Sequence, residues 1–263
     1  MKVFGFARFT MTVLMIFCLC GISFADFNAA DYVTHFNSLN NGQGYRFTYG
    51  YDNEVQLTQV SGTDNFDLSA YDTSRSTGRT DYFRTFCNEP TQGVNNTYKG
   101  SLNYNTTTGV TKNSLGYAVK LGTAVLYSQF AAGTLKDYDY DGLLRSIDSS
   151  YMTAALRATM GVTIVNNWNS NKYLAQLLAI NPDKSYWTSA YNPNQRYDEV
   201  GDYAVFALNV YSSTGGGQQD FFFVTSTNYS RGSVPEPATL LLWSISGISL
   251  AGASWRKYRS KKK

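Results

Sequence analysis

A run of regularly spaced aspartates is the part of this sequence whose residue types most directly suggest chemistry. Three aspartates alternate with tyrosines and are followed by a glycine, two leucines and, further on, a fourth aspartate. EF-hand loops place carboxylate ligands at positions 1, 3, 5 and 12, a glycine at position 6 and a backbone carbonyl ligand at position 7. The spacing therefore predicts a calcium site, and an ordinary solvated loop is the alternative. The ligands of that site would be Asp137, Asp139, Asp141, Leu143 and Asp148.

Cys87 is the only cysteine between residues 26 and 233, so this region cannot form an internal disulfide. Such a cysteine is either buried as a small hydrophobic residue or committed to thiol chemistry. His35 is the only histidine, and the sequence contains no G-x-S-x-G motif, so neither a serine-hydrolase triad nor a zinc site is indicated. A carboxylate pair for glycoside hydrolysis stays open, because the separation that matters in such pairs is spatial.

A group of aromatic residues lies in a polar stretch beside asparagines and glutamine. Exposed rings next to amides would suit stacking on sugars, whereas buried rings would be ordinary core residues. The group consists of Trp168, Tyr186, Trp187, Tyr191 and Tyr197.

The composition of the region that carries these residues favours short strands and turns, because it is rich in Tyr, Thr, Asn, Ser and Gly and poor in Leu and charges. Strand-like runs are predicted at 45–51, 55–60, 81–87, 203–211 and 220–226. The run 203–211 is apolar on both faces and is predicted to be a central strand. The polar segment 88–112 is predicted to be a surface hairpin or loop.

Two stretches change to helical periodicity. In the first, apolar residues recur from Leu115 to Phe130, and Gly133 is placed to end the helix. In the second, the predicted buried face is Tyr151, Ala154, Ala155, Ala158, Val162 and Val165. A short third helix is predicted at 174–180. The predicted fold is therefore mainly β, sandwich-like or barrel-like, with a small helical insertion at about 115–180.

Both ends of the chain predict export. Residues 1–25 combine Lys2 and Arg8, an apolar run and a Ser23-Phe24-Ala25 cleavage site, which is typical of a secretory signal peptide. Residues 238–255 carry no charge and are predicted to cross the membrane, and the basic tail 256–263 is predicted to stay on the cytoplasmic side. The region 26–233 has 14 Lys and Arg against 18 Asp and Glu, a formal charge of −4, so nothing in it suggests nucleic-acid binding.

The last thirty residues resemble the sorting signal of PEP-CTERM proteins of the bacterial envelope. The resemblance rests on Val234, Pro235, Glu236 and Pro237, followed at once by the span 238–255 and the basic tail. It implies recognition by an exosortase-type membrane protease that removes the span and delivers the body, residues 26–233, to the cell surface or extracellular matrix. An ordinary membrane anchor that is never cut is the alternative.

Three body segments resemble a thioester-domain-like group within the same family. They are YFRTFCNEP at 82–90, LYSQFAAGTLKDYDY at 126–140 and VFALNVYSSTGGGQQDFFFV at 205–224. In that group the resemblance implies a thioester between a strand cysteine, here Cys87, and a glutamine on a later helix. Arg157 stands at the glutamine position in this chain and has no carboxamide to give up. Gln176 is the nearest substitute but lies outside the pattern. Because no glutamine stands at the matching position, we expect Cys87 to form no thioester.

The sequence as a whole predicts an exported, non-enzymatic protein of the cell envelope or matrix, with a structural or binding role among surface polysaccharides. We expect no cofactor other than the candidate calcium ion. A covalent adhesin that uses Cys87 and a secreted carbohydrate-active enzyme are the alternatives.

Overall fold

The computed structural model describes residues 27–39, 44–49, 54–59, 82–88, 98–212 and 220–227. The predicted signal peptide and the predicted sorting signal at 234–263 lie outside these ranges. The chain divides into two compact units, residues 1–228 and 229–263, and all described residues belong to the first. None of the helices in the described ranges is both long enough and apolar enough to span a membrane.

The described strands form one antiparallel sheet of six strands in the order β3-β2-β1-β4-β5-β6. Their bounds are β1 Gly44–Tyr49, β2 Glu54–Gln59, β3 Tyr82–Phe86, β4 Tyr98–Asn103, β5 Tyr203–Ser212 and β6 Phe221–Ser226. Strand β5 pairs with both β4 and β6, which confirms that it is central. Residues 204–210 of this strand are buried throughout, as its apolar residues on both faces predict.

Strand β4 was not among the strands predicted from the sequence, whose polar segment 88–112 predicted a surface hairpin or loop. Its residues, YKGSLN, include only one large aliphatic side chain, Leu102, so no alternating apolar pattern marks the strand. Position in the sheet decides its structure instead, because β4 joins β1 to β5 through backbone pairing. The prediction of a loop over this part of 88–112 was therefore wrong.

The sheet curls until its two outer strands meet. Cys87, directly after β3, forms an isolated bridge with Phe221 of β6, and the Asn88 amide donates to the Asp220 carbonyl at 3.0 Å. The buried Thr85 hydroxyl donates to the Phe222 carbonyl oxygen at 2.7 Å and accepts from the Phe222 amide at 3.1 Å. The described strands thus make a single curled sheet rather than the two packed sheets of a sandwich.

The described helices are α1 Ala29–Leu39, α2 Leu121–Ala131, α3 Arg145–Met160, α4 Lys172–Ile180 and α5 Lys184–Trp187, with a 3₁₀ turn at Trp168–Ser170. Helix α1 was not predicted, and the other four lie between β4 and β5. The described helices contain more residues than the described strands, so the described part of the chain combines helices with an antiparallel sheet and is not clearly mainly β. Leu115 lies before α2 and is half exposed, whereas α2 itself is almost wholly buried.

Aromatic contacts assign the helices to the two faces of the sheet. From α1, Tyr32 stacks on Phe206 with ring centroids 5.7 Å apart. On the opposite face, Phe130 of α2 meets Phe86 edge to face at 4.7 Å. Because successive side chains of a strand point to opposite faces, both layers can bury aromatic residues of the same strands. The core therefore has α1 on one side of the sheet and α2 on the other.

Helix α3 exposes Tyr151 of the face that the sequence predicts to be buried, whereas Val162 and Val165, which follow the helix, pack against the core. Tyr151 is 42 % exposed and Ala154 is half-buried, although Ala155 and Ala158 are buried as predicted. The two charged residues of its first turn, Arg145 and Asp148, are only 2 % and 3 % exposed. The hydrophobic pattern fails here because both charges are paired inside the protein, which is the condition under which burial of charge is tolerated.

Asn37 of α1 completes the hydrogen bonding of β4 where β1 no longer does. Strand β1 pairs with β4 only at Lys99 and Tyr98. At Leu102 the Asn37 side chain donates to the carbonyl oxygen at 3.0 Å and accepts from the amide at 2.9 Å.

We expect Asn37→Ala to lower the free energy of unfolding by about 1–3 kcal/mol, because both backbone groups of Leu102 lose their partner. Urea denaturation followed by circular dichroism measures the change. Ser38→Ala, on an exposed position of the same helix, is the control and should stay within about 0.5 kcal/mol of the wild type. Equal effects of the two substitutions would contradict this role for Asn37.

Candidate functional site

A buried ion pair joins the start of β2 to the start of α3. Glu54 and Arg145 are each 2 % exposed. The Arg145 guanidinium binds both carboxylate oxygens of Glu54, through Nε to Oε2 at 2.9 Å and through a second nitrogen to Oε1. This bidentate geometry satisfies both oxygens of the carboxylate in a site that excludes water.

The same carboxylate holds the aspartate- and tyrosine-rich segment against the sheet. The Tyr138 hydroxyl donates to Glu54 Oε2 at 2.6 Å, and Arg145 also donates to the Tyr140 carbonyl. Arg84 of β3 approaches Glu54 with Nε 3.7 Å from Oε1. Burial, reinforced by the Glu54 charge, raises the pKa of Tyr138 far above its usual range, so this phenol stays protonated and remains a donor.

The predicted calcium loop is a compact turn built around Asp139. Its carboxylate accepts from the backbone amides of Gly142 at 2.7 Å and Leu144 at 3.1 Å. A side chain at Gly142 would collide with that carboxylate, which explains the glycine. Asp137 adopts a left-handed backbone conformation with φ 60°, which aspartate tolerates better than most residues. Leu143 is fully exposed.

A lysine ammonium lies where two of the predicted calcium ligands meet. Lys172 forms an ion pair with Asp148 and donates to the Asp137 carbonyl oxygen at 2.6 Å. The other oxygen of Asp148 accepts from the Asp139 amide at 2.7 Å. Within the described ranges, no three acidic, histidine or cysteine side chains come together in a way that could hold a metal ion. Calcium stays a prediction, and binding in this geometry would have to displace Lys172.

Cys87 is buried at the seam between β3 and β6, with 9 % of its surface exposed. Burial lowers the pKa of Arg157, and an electrostatic contribution from Cys87 opposes that effect. These are the two residues that the thioester resemblance pairs. The Gln176 carboxamide is engaged elsewhere, because it donates to the Lys136 carbonyl oxygen at 2.9 Å.

A buried carboxylate beside this seam was not anticipated from the sequence. Asp220 is fully buried and accepts from the Ser114 amide at 2.5 Å and from the Val210 amide at 2.9 Å. Asn88 donates to the Phe221 carbonyl at 3.1 Å and accepts from the Asn113 side chain at 3.1 Å. An aspartate directly before an aromatic strand gives no sequence signal of such a role. These contacts fix the seam rather than expose a reactive group.

The aromatic residues proposed to stack on sugars lie mainly in the core. Trp168, Trp187 and Tyr191 are 5 %, 0 % and 1 % exposed, while Tyr186 and Tyr197 are half-buried. The Trp187 ring nitrogen donates to the Asn181 carbonyl oxygen at 2.7 Å. Trp168, Trp187 and Tyr191 therefore offer no open ring face to a sugar and are core aromatic residues.

A shallow groove of about 390 Å³ runs along the outer side of α3. Among the residues that the structure describes, no charged side chain lines it. The described lining residues are Ser146, Ile147, Ser150, Tyr151 and Ala154. The groove was not predicted, because Tyr151 and Ala154 belong to the face of the helix that the sequence pattern predicts to be buried.

The predicted sorting motif Val234–Pro237 lies outside the described residues. Comparison of the chain with models of protein families, with curated proteins and with solved structures gave no match.

We expect Glu54→Gln to lower the free energy of unfolding by about 3–5 kcal/mol, because it leaves the buried Arg145 charge without its counter-ion. Chemical denaturation measures the loss. Glu199→Gln is a matched control, since Glu199 also accepts from a tyrosine hydroxyl, that of Tyr186 at 3.0 Å, but it is only half-buried and has no ion-pair partner among the described residues. It should change stability by less than about 0.5 kcal/mol. A loss below about 1 kcal/mol for Glu54→Gln would refute the importance of the pair.

We expect Cys87 to carry a free thiol, because Arg157, which stands at the glutamine position, cannot act as an acyl donor. The intact mass should match the amino-acid sequence with no loss of ammonia. Thiol reagents should label Cys87 slowly in the native protein and rapidly after denaturation, as for other buried thiols. A mass deficit of one ammonia that methylamine abolishes would show a thioester, with Gln176 as its first candidate partner.

Calcium, if it binds, should bind with a dissociation constant on the order of 10⁻⁴ to 10⁻³ M. Titration calorimetry should then show weaker binding for Asp139→Ala and tighter binding for Lys172→Met, which removes the competing ammonium. Negligible heats for the wild type and for Lys172→Met would eliminate the metal.

Proposed function

We propose that this chain is an exported, non-enzymatic protein of the cell envelope or extracellular matrix. Its support at the level of sequence is the combination of the signal peptide at 1–25 with the sorting signal at 234–263. An exosortase-type protease would recognise Val234–Pro237 and separate the body from the span 238–255. The body would then act at the surface or within a polysaccharide matrix. The span 238–255 would serve only to anchor the precursor in the membrane before processing.

The single observation in the body that supports a binding or structural role is the exposed face of α3. This face has apolar and hydroxyl side chains outward and its charged residues inward. Isolated apolar residues on a surface are ordinary, whereas several large apolar side chains exposed along one segment, here Leu143, Leu144, Ile147 and Tyr151, favour an interaction site. The ion pairs that bury Arg145 and Asp148 also fix this helix to the rest of the body. A rigid, uncharged helix face suits recognition by contact rather than catalysis.

The covalent alternative has a specific obstacle in the sequence. The residue that the thioester resemblance would require to be glutamine is Arg157, whose guanidinium contains no acyl carbon to transfer. The body would therefore hold its partners without covalent bonds. Contacts to a polysaccharide would have to use rings that remain partly exposed, of which Tyr117 and Tyr151 are examples.

The decisive experiment follows processing of the full chain in a host that contains an exosortase-type system. Mature wild-type protein should lack residues 238–263 by mass and should be recovered from the cell surface or the medium. The double substitution Pro235→Ala with Glu236→Ala should leave an anchored precursor of full length. Arg231→Ala with Ser233→Ala, adjacent to the motif but outside it, is the control and should be processed normally. Wild-type protein that still extends to Lys263 would refute the proposed sorting.

A further inference from the structure

We propose that Asp220 and Asn209 bind a small hard cation, for which Ca²⁺ is the best fit, at the seam of the curled sheet. The two residues come together only through strand pairing, and neither belongs to the predicted calcium loop at 137–148. The proposal goes beyond the proposed function and does not depend on sorting or on location at the cell surface.

The register of the sheet places Asn209 and Asp220 side by side. The β5–β6 ladder pairs Leu208 with Phe221, so the next step of the same antiparallel register sets Asn209 opposite Asp220. Side chains of directly opposed residues point to the same face of a sheet, and their Cβ atoms lie about 4.5–5.5 Å apart. The carboxylate of Asp220 and the amide of Asn209 therefore share one small region of the sheet.

Neither side chain has a positively charged partner in the described part of the chain. Asp220 is fully buried and accepts only from two backbone amides, those of Ser114 at 2.5 Å and Val210 at 2.9 Å. Asn209 is 3 % exposed, and among the described residues nothing donates to its side-chain oxygen Oδ1. Buried polar atoms are normally hydrogen-bonded, and buried charges are normally paired or bound to a metal. Two neighbouring acceptors without a donor between them form an arrangement that a cation would complete.

Two further asparagines fix the geometry around this pair. Asn88 lies on the other side of Asp220, and its backbone amide donates to the Asp220 carbonyl oxygen at 3.0 Å. The Asn88 side chain donates to the Phe221 carbonyl oxygen at 3.1 Å and accepts from the Asn113 side chain at 3.1 Å. Each of these side chains is thus oriented by its own partners, and neither donates to Asp220 or to Asn209. The surroundings are rigid but leave the unpaired oxygen of Asn209 unsatisfied.

The ligands available at this place favour Ca²⁺. They are a carboxylate, an amide oxygen and the hydroxyl of the half-buried Ser101, which β4 places opposite Asn209. Oxygen ligands of this kind select hard cations. Ca²⁺ accepts irregular coordination at about 2.3–2.6 Å, whereas Mg²⁺ demands a near-ideal octahedron, which a row of side chains across a sheet does not approach. Ser114, whose amide contacts the carboxylate, is exposed, so water can complete the coordination.

The affinity should be that of a weak site, because only one carboxylate contributes. We expect a dissociation constant on the order of 10⁻⁴ to 10⁻³ M. Since Asp220 directly precedes β6 and Asn209 belongs to β5, the bound ion should stabilise the end of the sheet at the seam. Stability of the fold is therefore a direct readout of binding.

Calcium titration of the purified full-length chain carrying Asp139→Ala tests the proposal, since this substitution disables the predicted loop site. In this background, about 10 mM CaCl₂ should raise the folding equilibrium constant about 10- to 100-fold in urea denaturation. An equal concentration of MgCl₂ controls for salt and should have little effect. Asn209→Leu, which keeps the size of the side chain but removes its oxygen, should abolish the calcium effect.

Thr153→Val in the same background is the matched control. Thr153 is also 3 % exposed, and its hydroxyl oxygen also has no hydrogen-bond partner among the described residues, but it lies on α3. The calcium effect should therefore persist in Thr153→Val. Circular dichroism verifies that each variant is folded.

Asn209→Asp carries the test even if Asn209→Leu does not fold. Without calcium it should be less stable than its parent, because two opposed carboxylates repel each other. With calcium it should bind about tenfold more tightly, because affinity rises with the number of ligand charges. Rotation of the Asn209 amide by half a turn, so that its nitrogen donates to Asp220, is the arrangement without an ion and predicts no calcium effect in any variant. That result, an equal effect of MgCl₂, an unchanged effect in Asn209→Leu, or no gain in Asn209→Asp would each overturn the proposal.

Discussion

The buried Glu54–Arg145 pair is the interaction on which the arrangement of this body depends. It fixes α3 to β2, and through Tyr138 and Tyr140 it also holds the segment between α2 and α3. A buried ion pair adds little net stability compared with apolar residues of the same size, since desolvation offsets most of the attraction. Instead, the pair favours one position of α3 over the alternatives. A Glu54 carboxylate left without Arg145 would be an uncompensated buried charge, so alternative positions of α3 are strongly disfavoured.

This constraint also explains why α3 presents apolar residues to solvent. Once Arg145 and Asp148 point inward to their partners, helical geometry turns the residues between and beyond them outward. Ile147 and Tyr151 are exposed because Arg145 and Asp148 occupy the inward side of the helix. The buried ion pairs and the exposed apolar residues of α3 are therefore two aspects of one helix orientation.

The sequence predicts local features of this fold well and long-range ones poorly. Five of the strands were predicted because aromatic and β-branched residues mark them, and Gly133, with φ 72°, follows the end of α2 as expected. Strand β4 and helix α1 were not predicted, since tertiary pairing and packing stabilise them more than their own pattern does. The partnership of Glu54 with Arg145 spans 91 residues of sequence and leaves no local signal. For the same reason the burial of Arg145 and Asp148 and the exposure of Tyr151 were not predicted, because a hydrophobic pattern treats every charge as exposed.

The meeting of β3 and β6 has a consequence for the behaviour of the chain at high concentration. Strand β6 begins Phe-Phe-Phe-Val, an uncharged run of high β-propensity of the kind that seeds intermolecular sheets when its edge is open. Thr85 and Cys87 occupy that edge at the seam, and the Tyr127 hydroxyl, 2.9 Å from the Phe222 carbonyl oxygen and 3.1 Å from that of Arg84, spans it from above. Backbone groups that are already satisfied within one molecule cannot recruit a strand from another. The seam thus covers the start of an otherwise amyloid-prone strand, and the backbone groups of Phe221 and Phe222 that it occupies are not open to a strand of another copy.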